Sequence, residues 1–229
     1  MLDLDIKHRR YLENLGFLKS SIENGMYKSI QKSYVKRRLL TYKLSKKYNL
    51  AGIPGFYQEE DFKWNYAGIK GFFIPIFDDY NRITSLSIHL DKPYNQATDL
   101  WFSSKDKLNG TGIRNQICKY KIFDDTKIIV LTDNFLLGNY IKESIDTPMI
   151  AFSNIANSYQ ILKEIEKTDA ENVIFTMRKG NNQNIDYIIN RVFRDLIPLG
   201  YNLETKYIRE FKDVLNEDFL YLYELKKVS

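Results

Sequence analysis

The 229-residue chain has a single cysteine, Cys118, which excludes an internal disulfide and any cysteine-based zinc site. Its two histidines, His8 and His89, lie in different segments without metal-ligand spacing, so each reads as structural, His89 as a solvated or hydrogen-bonded residue. No apolar run approaches the roughly 18 residues of a membrane helix, and Met1-Leu2-Asp3-Leu4-Asp5 does not read as a signal peptide. Hydrophobic residues make up 44% and charged residues 28%, which excludes wholesale disorder. The expectation is a soluble, cytoplasmic protein with a sizeable core and no membrane partner.

Positive charge is unevenly spread. Residues 1–50 hold 12 Lys/Arg against 4 Asp/Glu, whereas the other 179 residues hold 22 against 25. The net +5 of the whole chain is therefore a basic arm on a near-neutral body. Such an arm suits an anionic partner, and nucleic acid is the commonest one. A solvated basic helix without a ligand is the alternative.

Three regions follow from the local pattern. Residues 1–50 read as a basic helical lead-in. Asp5 can cap a helix through His8-Arg9-Arg10-Tyr11-Leu12 that ends near Gly16, and a second helix spans Tyr34 to Tyr48. Residues 51–125 read as β-rich, opened by the helix-breaking Gly52-Ile53-Pro54-Gly55. Strands are expected at Gly71–Phe77 and Arg82–Leu90, joined by a turn at Asp78-Asp79-Tyr80-Asn81, with a third around Leu100-Trp101-Phe102. In the second strand Thr84, Leu86, Ile88 and Leu90 share one face, and Ser85, Ser87 and His89 share the other, which is read as solvated. Pro75 points to a sheet edge.

Residues 126–229 alternate strand and helix. Strands are expected at Lys127–Thr132, Pro148–Phe152, Asn172–Met177, Tyr201–Lys206 and Phe219–Leu225. Helices fall between them: Asn134–Glu143, one carrying Ile155, Tyr159 and Leu162, and one with the stripe Ile185, Ile188, Ile189, Val192 and Leu196 that stops at Gly200. This alternation implies a parallel sheet flanked by helices, and the whole chain is classed as α/β, with α+β character from its antiparallel middle.

In such a sheet ligands gather at the carboxyl ends of the strands, here Thr132-Asp133-Asn134, Phe152-Ser153-Asn154 and Thr176-Met177-Arg178. A Mg²⁺ site would need several converging carboxylates, and Asp133 stands alone. Asp133 reads as an N-cap for the helix beginning at Asn134, and as a weak candidate for catalysis. Cys118 has no base beside it and reads as a buried, inert thiol. Gly110-Thr111-Gly112 lacks the lysine of a phosphate-binding loop and reads as a turn, as do Asp78-Asp79 and Asp124-Asp125.

One series of residues carries a family resemblance. Gly52-Ile53-Pro54-Gly55-Phe56-Tyr57 is followed by Phe73-Ile74-Pro75-Ile76, Asp78, Arg82-Ile83 and Leu86-Ser87-Ile88-His89-Leu90-Asp91, then Trp101-Phe102-Ser103-Ser104 and Gly110-Thr111-Gly112. Together they resemble the toprim-like domain of primase and replication proteins from plasmids, phages and integrative elements. The stretch from His8-Arg9 through Leu15-Gly16 to Tyr48-Asn49-Leu50 is similar to that family's helical lead-in. The resemblance implies a glutamate after the first strand of the toprim half, as general acid or base. It also implies two aspartates spaced by one residue after the third strand, holding Mg²⁺. Here Asp133 takes the glutamate position and Thr176-Met177-Arg178 the aspartate pair, so the resemblance implies the fold without its chemistry. Arg178 would repel a metal and is expected to pair with Asp133 across the strand ends.

Three functional readings result. The first is a catalytically degenerate, mobile-element protein that binds DNA, RNA or a nucleoprotein complex. Its contacts would be Arg9, Arg10, Lys36, Arg37, Arg38, Lys46, Lys47, Arg178 and Lys179, and of these Arg37, Arg38 and Lys47 are expected on solvated faces. The second is an inhibitor or adaptor acting on a host defence nuclease, including RNA-guided ones (anti-CRISPR-type). The third is a residual metal-dependent nuclease or nucleotidyl-transfer enzyme built on Asp133. No cofactor and no metal-ligating residue are expected.

Overall fold

The computed structural model describes residues 2–78, 80, 82–95, 97–113, 116–153, 157–178 and 183–216, without the side chains of residues 183–186 and 188. The strand expected at Phe219–Leu225 lies outside the described residues. The chain divides into two compact units. The first comprises Met1–Asn14, Leu18–Ile76 and Ile83–Arg114, and the second Leu15–Phe17, Phe77–Arg82 and Asn115–Ser229.

The first unit opens with α1 (Ile6–Asn14), whose first backbone bonds run from His8 and Arg9 N–H to the Asp5 carbonyl, at 2.9 and 3.0 Å. The elements α2 (Lys19–Asn24) and β1 (Lys28–Ser29) follow. Next comes α3 (Tyr34–Ser45), capped by Ser33, whose hydroxyl accepts from the Lys36 N–H. The hairpin β2 (Phe56–Gln58) and β3 (Trp64–Tyr66) precedes β4 (Gly71–Phe77), β5 (Ile83–Tyr94) and β6 (Ala97–Trp101). The main sheet has the order β1-β4-β5-β6.

Two expectations change here. β4 is an interior strand rather than an edge, but β1 pairs only with Phe72 and Phe73 and stops short of Pro75, so the missing N–H disrupts no β1 ladder bond. The serine face of β5 is covered as well: Ser85 and Ser87 are buried, and further along the strand Tyr11 of α1 stacks on His89. Alternation on β4 explains why both faces are filled. Phe72 meets the rings of His8, Tyr11, Tyr27 and His89 on the α1 side. Phe73 joins Ile30, Tyr66, Ile88, Leu90 and Phe102 in the core on the other. Beside that core, Leu40 and Leu44 of α3 help to line an apolar cavity of about 220 Å³ with Phe73, Leu86 and Phe102.

The second unit contains β7 (Cys118–Tyr120), β8 (Ile128–Thr132), α4 (Phe135–Ile145), β9 (Met149–Ala151), α5 (Ser158–Ile165), β10 (Asn172–Arg178), α6 (Gln183–Leu196) and β11 (Asn202–Ile208). The sheet order is β11-β10-β8-β9-β7, parallel throughout except for the edge strand β7, which runs antiparallel to β9. Odd-numbered β8 and β10 residues (Ile129, Leu131, Val173, Phe175, Met177) form one core with Ile161 and Ile165 of α5 and Ile189, Val192 and Leu196 of α6. The helix expected to carry Ile155, Tyr159 and Leu162 is α5: Leu162 packs partly buried against this core beside the fully buried Ile161 and Ile165, Tyr159 is 63% exposed, and Ile155 lies outside the described residues. Gly200 ends the α6 segment at φ 87°, a left-handed conformation that glycine adopts without strain. Cys118 is buried, as expected of an inert thiol.

Gly138 sets how closely α4 approaches the sheet. A Cβ there would stand 2.7 Å from the Ala151 Cβ and 3.3 Å from Met149 Sδ. Helix propensity would reward Gly138→Ala by about 1 kcal/mol, but forced separation of α4 from β9 costs about 1–3 kcal/mol. We therefore expect Gly138→Ala to lower the urea midpoint, and Ala151→Gly added to it to restore part of the loss. A raised midpoint in the single variant would show that α4 has room to spare.

Candidate nucleic-acid interface

The carboxyl ends of β8 and β10 hold the residues that the sequence singled out. Phe175 pairs in register with Leu131, so the next residues, Thr176 and Thr132, stand side by side on one face of the sheet. Both are fully buried, and neither hydroxyl has a hydrogen-bond partner. Asp133 is half-buried and does not cap α4. The cap is Asn134, whose Oδ1 accepts from the Leu137 N–H at 2.9 Å, because the helix begins one residue later than expected.

Arg178 shares its face of β10 with Thr176. Its register partner is Ile208 on β11, and just beyond that strand Phe211 presents its ring to the guanidinium at 5.8 Å. The ion pair expected between Arg178 and Asp133 is absent among the described residues; an adjacent aromatic face takes its place. Lys179 and the Gly180–Asn182 stretch after it lie outside the described residues. Among the described residues no three His, Cys, Asp or Glu side chains converge as a metal site would need. Hydroxyls, one carboxylate and a cation make this edge a poor Mg²⁺ site.

The basic residues of the first unit separate into two groups. Arg10, Lys36, Lys46 and Lys47 are exposed, with Lys46 placed over the Tyr42 ring. Arg9 is half-exposed, 3.6 Å from Glu23. Arg37 and Arg38, by contrast, are drawn inward, against the expectation of a solvated face. Arg37 Nη1 donates to the carbonyls of Gln31 and Lys32 at 3.1 and 3.0 Å, its guanidinium lies against Gly68, and its Nε is buried without a partner. Arg38 donates to Asp61 Oδ2 at 2.6 Å and lies 3.4 Å from Glu59. That guanidinium, with Lys63, holds the Asp61 carboxyl down at about 2. The signal available in the sequence was the acidic run Glu59-Glu60-Asp61, which has no strand or helix role of its own.

One cluster had no counterpart in the sequence reading. The buried His8 ring has its Nδ1 2.6 Å from Ser29 Oγ and its Nε2 2.7 Å from Asp91 Oδ1, while Lys7 donates to Asp91 Oδ2 at 2.6 Å. His89 pairs with Asp99 at 2.9 Å and stacks on Tyr11 at 5.0 Å. Both histidines are thus hydrogen-bonded, which for His89 decides between the solvated and hydrogen-bonded readings, and they border one cleft of about 250 Å³ with Lys7, Arg10, Tyr11 and Asn14. The period-two pair His89 and Asp91 on β5 was the only hint in the sequence.

Burial acts to raise the Asp91 carboxyl, but hydrogen bonds from Lys7 and His8 outweigh it and hold it below the usual carboxylate range. A depressed folded value stabilises fully above the unfolded value near about 4, and that contribution is lost as pH falls through the folded one. We expect unfolding stability to fall below about pH 4, and Asp91→Asn to be less stable at neutral pH but flatter in that acid window. Identical pH profiles for the two proteins would remove Asp91 from the account.

No protein-family model matches the sequence, and no curated protein matches it. Solved structures do. A DNA primase domain from Pseudomonas aeruginosa has a TM-score of 0.66 at 13% identity, covering 95% of this chain and 70% of that one. The E. coli primase catalytic core has a TM-score of 0.60 at 12% identity, covering 94% and 71%. The RNA polymerase domain of the Mycobacterium tuberculosis primase DnaG has a TM-score of 0.62 at 9% identity, covering 96% and 75%. No helix among the described residues is long and apolar enough to cross a membrane. The shared architecture agrees with the toprim-like resemblance read from the sequence, and the chain has the fold of the bacterial primase catalytic core.

Proposed function

We propose that this protein binds nucleic acid on a primase-type scaffold without metal-dependent phosphoryl transfer. The observation that carries the reading is the fold itself, whose solved relatives include a primase catalytic domain bound to single-stranded DNA and one in complex with double-stranded DNA. Loss of the chemistry is supported by Thr132 and Thr176 facing the same side at the strand ends, with Arg178 beyond them. The toprim resemblance also supports an origin in a plasmid, phage or integrative element.

Binding in this reading is electrostatic. Arg10, Lys36, Lys46 and Lys47, with Arg9 beside them, offer charge to phosphates at little desolvation cost, so affinity depends on salt and little on sequence. Arg37 and Arg38 contribute less, since their guanidinium groups are held within the chain. Arg178 contributes from the second unit, where its cation over Phe211 remains exposed on one side.

Two measurements test the proposal. Labelled single-stranded and duplex oligonucleotides, of DNA and of RNA, are titrated across a salt series with the wild type and an Arg10→Glu/Lys47→Glu variant. The expected result is weaker binding and a shallower salt dependence in the variant, with melting unchanged, since exposed charges contribute little to stability. Equal binding by both proteins would reduce the basic arm to a solubility feature. Calorimetry with Mg²⁺ is expected to show no saturable site. A site abolished by Asp133→Asn would restore the enzymatic reading.

A further inference from the structure

α3 carries apolar side chains on two opposite sides. Leu40 and Leu44 face inward onto the apolar cavity, and Thr41 is buried with its hydroxyl donating to the Trp64 carbonyl at 2.6 Å. On the outer side Val35, Leu39 and Tyr42 are 72%, 53% and 56% exposed. Their spacing of four residues and then three, continued by Lys46, is the alternation of d and a positions in a heptad repeat, which forms one narrow seam on a helix. In that frame Lys36 and Lys43 occupy the flanking e positions. Both are exposed, and neither has an ion-pair partner among the described residues. The opposite flank, Arg38, is already committed to Asp61 and Glu59.

We propose that the outer face of α3 docks an amphipathic helix of a partner protein, one whose apolar stripe is bordered by glutamate or aspartate. Charge decides the occupant. Antiparallel pairing with α3 of a second copy would set lysine edge against lysine edge, which heptad pairing disfavours. A phosphate backbone would satisfy Lys36 and Lys43 but leave Val35 and Leu39 facing anions. A bilayer surface favours a broader apolar face than this seam provides. Helix docking satisfies both sets of residues, because the seam accepts apolar anchors while the lysines meet acidic side chains. The inference goes beyond nucleic-acid binding, since it uses the three apolar residues that binding phosphates leaves idle.

The test uses the whole protein and a fluorescent three-heptad helix with Leu at a and d and Glu at e and g. Controls are a scrambled version and a charge-swapped version with Lys in place of Glu. Wild type is expected to bind the acidic helix and not the scrambled one. Val35→Gln with Leu39→Gln should weaken that binding by about tenfold or more while leaving oligonucleotide binding unchanged, which separates this proposal from the previous one. Lys36→Glu with Lys43→Glu should lose the acidic helix and gain the charge-swapped one. All four positions are exposed, so unchanged thermal melting is expected and is checked for each variant. Equal binding of acidic and scrambled peptides would overturn the proposal. So would indifference to both pairs of substitutions, or a dependence on Val35 and Leu39 seen only with anionic phospholipid vesicles.

Discussion

A single buried imidazole holds the first unit together. His8 on α1 bridges Ser29 on β1 and Asp91 on β5, so one side chain ties the opening helix to both sides of β4. The Phe72 ring packs against it and helps to bury it, which raises the cost of leaving its ring nitrogens without partners. Ser29 Oγ also accepts from the Asp5 N–H at 2.7 Å, just where α1 starts. The direction in which α1 presents Lys7, Arg9 and Arg10 follows from this anchor, because these residues flank the fixed ring on a short helix.

The second unit is governed by alternation. Odd-numbered residues of β8 and β10 build the core under α5 and α6, which commits the even-numbered Thr132, Thr176 and Arg178 to the opposite face. Hydroxyls stand in the innermost places on that face, and an aromatic ring receives the cation. The strand ends stay aligned, and the groups they carry on that face are hydroxyls and a cation rather than the hard carboxylate ligands a divalent ion favours.

Much of this was legible in the sequence because long buried strands and a well-spaced helical stripe leave strong periodicity. Ile128 to Thr132, Asn172 to Arg178 and the run Ile189, Val192, Leu196 are of that kind. β1 has two residues and β7 three, too short for any period, and both are made by pairing with distant strands. The serines of β5 looked solvated because small polar residues are accommodated in a packed face as readily as they face water. At the candidate site, the residue types were legible and their partners were not. Asp133 and Asn134 are equally good caps on paper, and a shift of one residue in the helix start decided between them. Arg37 and Arg38 looked like their neighbouring lysines until loop carbonyls, Asp61 and Glu59 were brought to them.

The inward turn of those arginines changes how the basic arm looks from a distance. Carboxylates from later in the chain neutralise part of it at close range: Asp61 and Glu59 at Arg38, and Asp91 at Lys7. The long-range potential of the first fifty residues is therefore weaker than their formal charge suggests. In the proposed binding, a polyanion would sense mainly the exposed cations outside these pairs, and the counterions released would be correspondingly few.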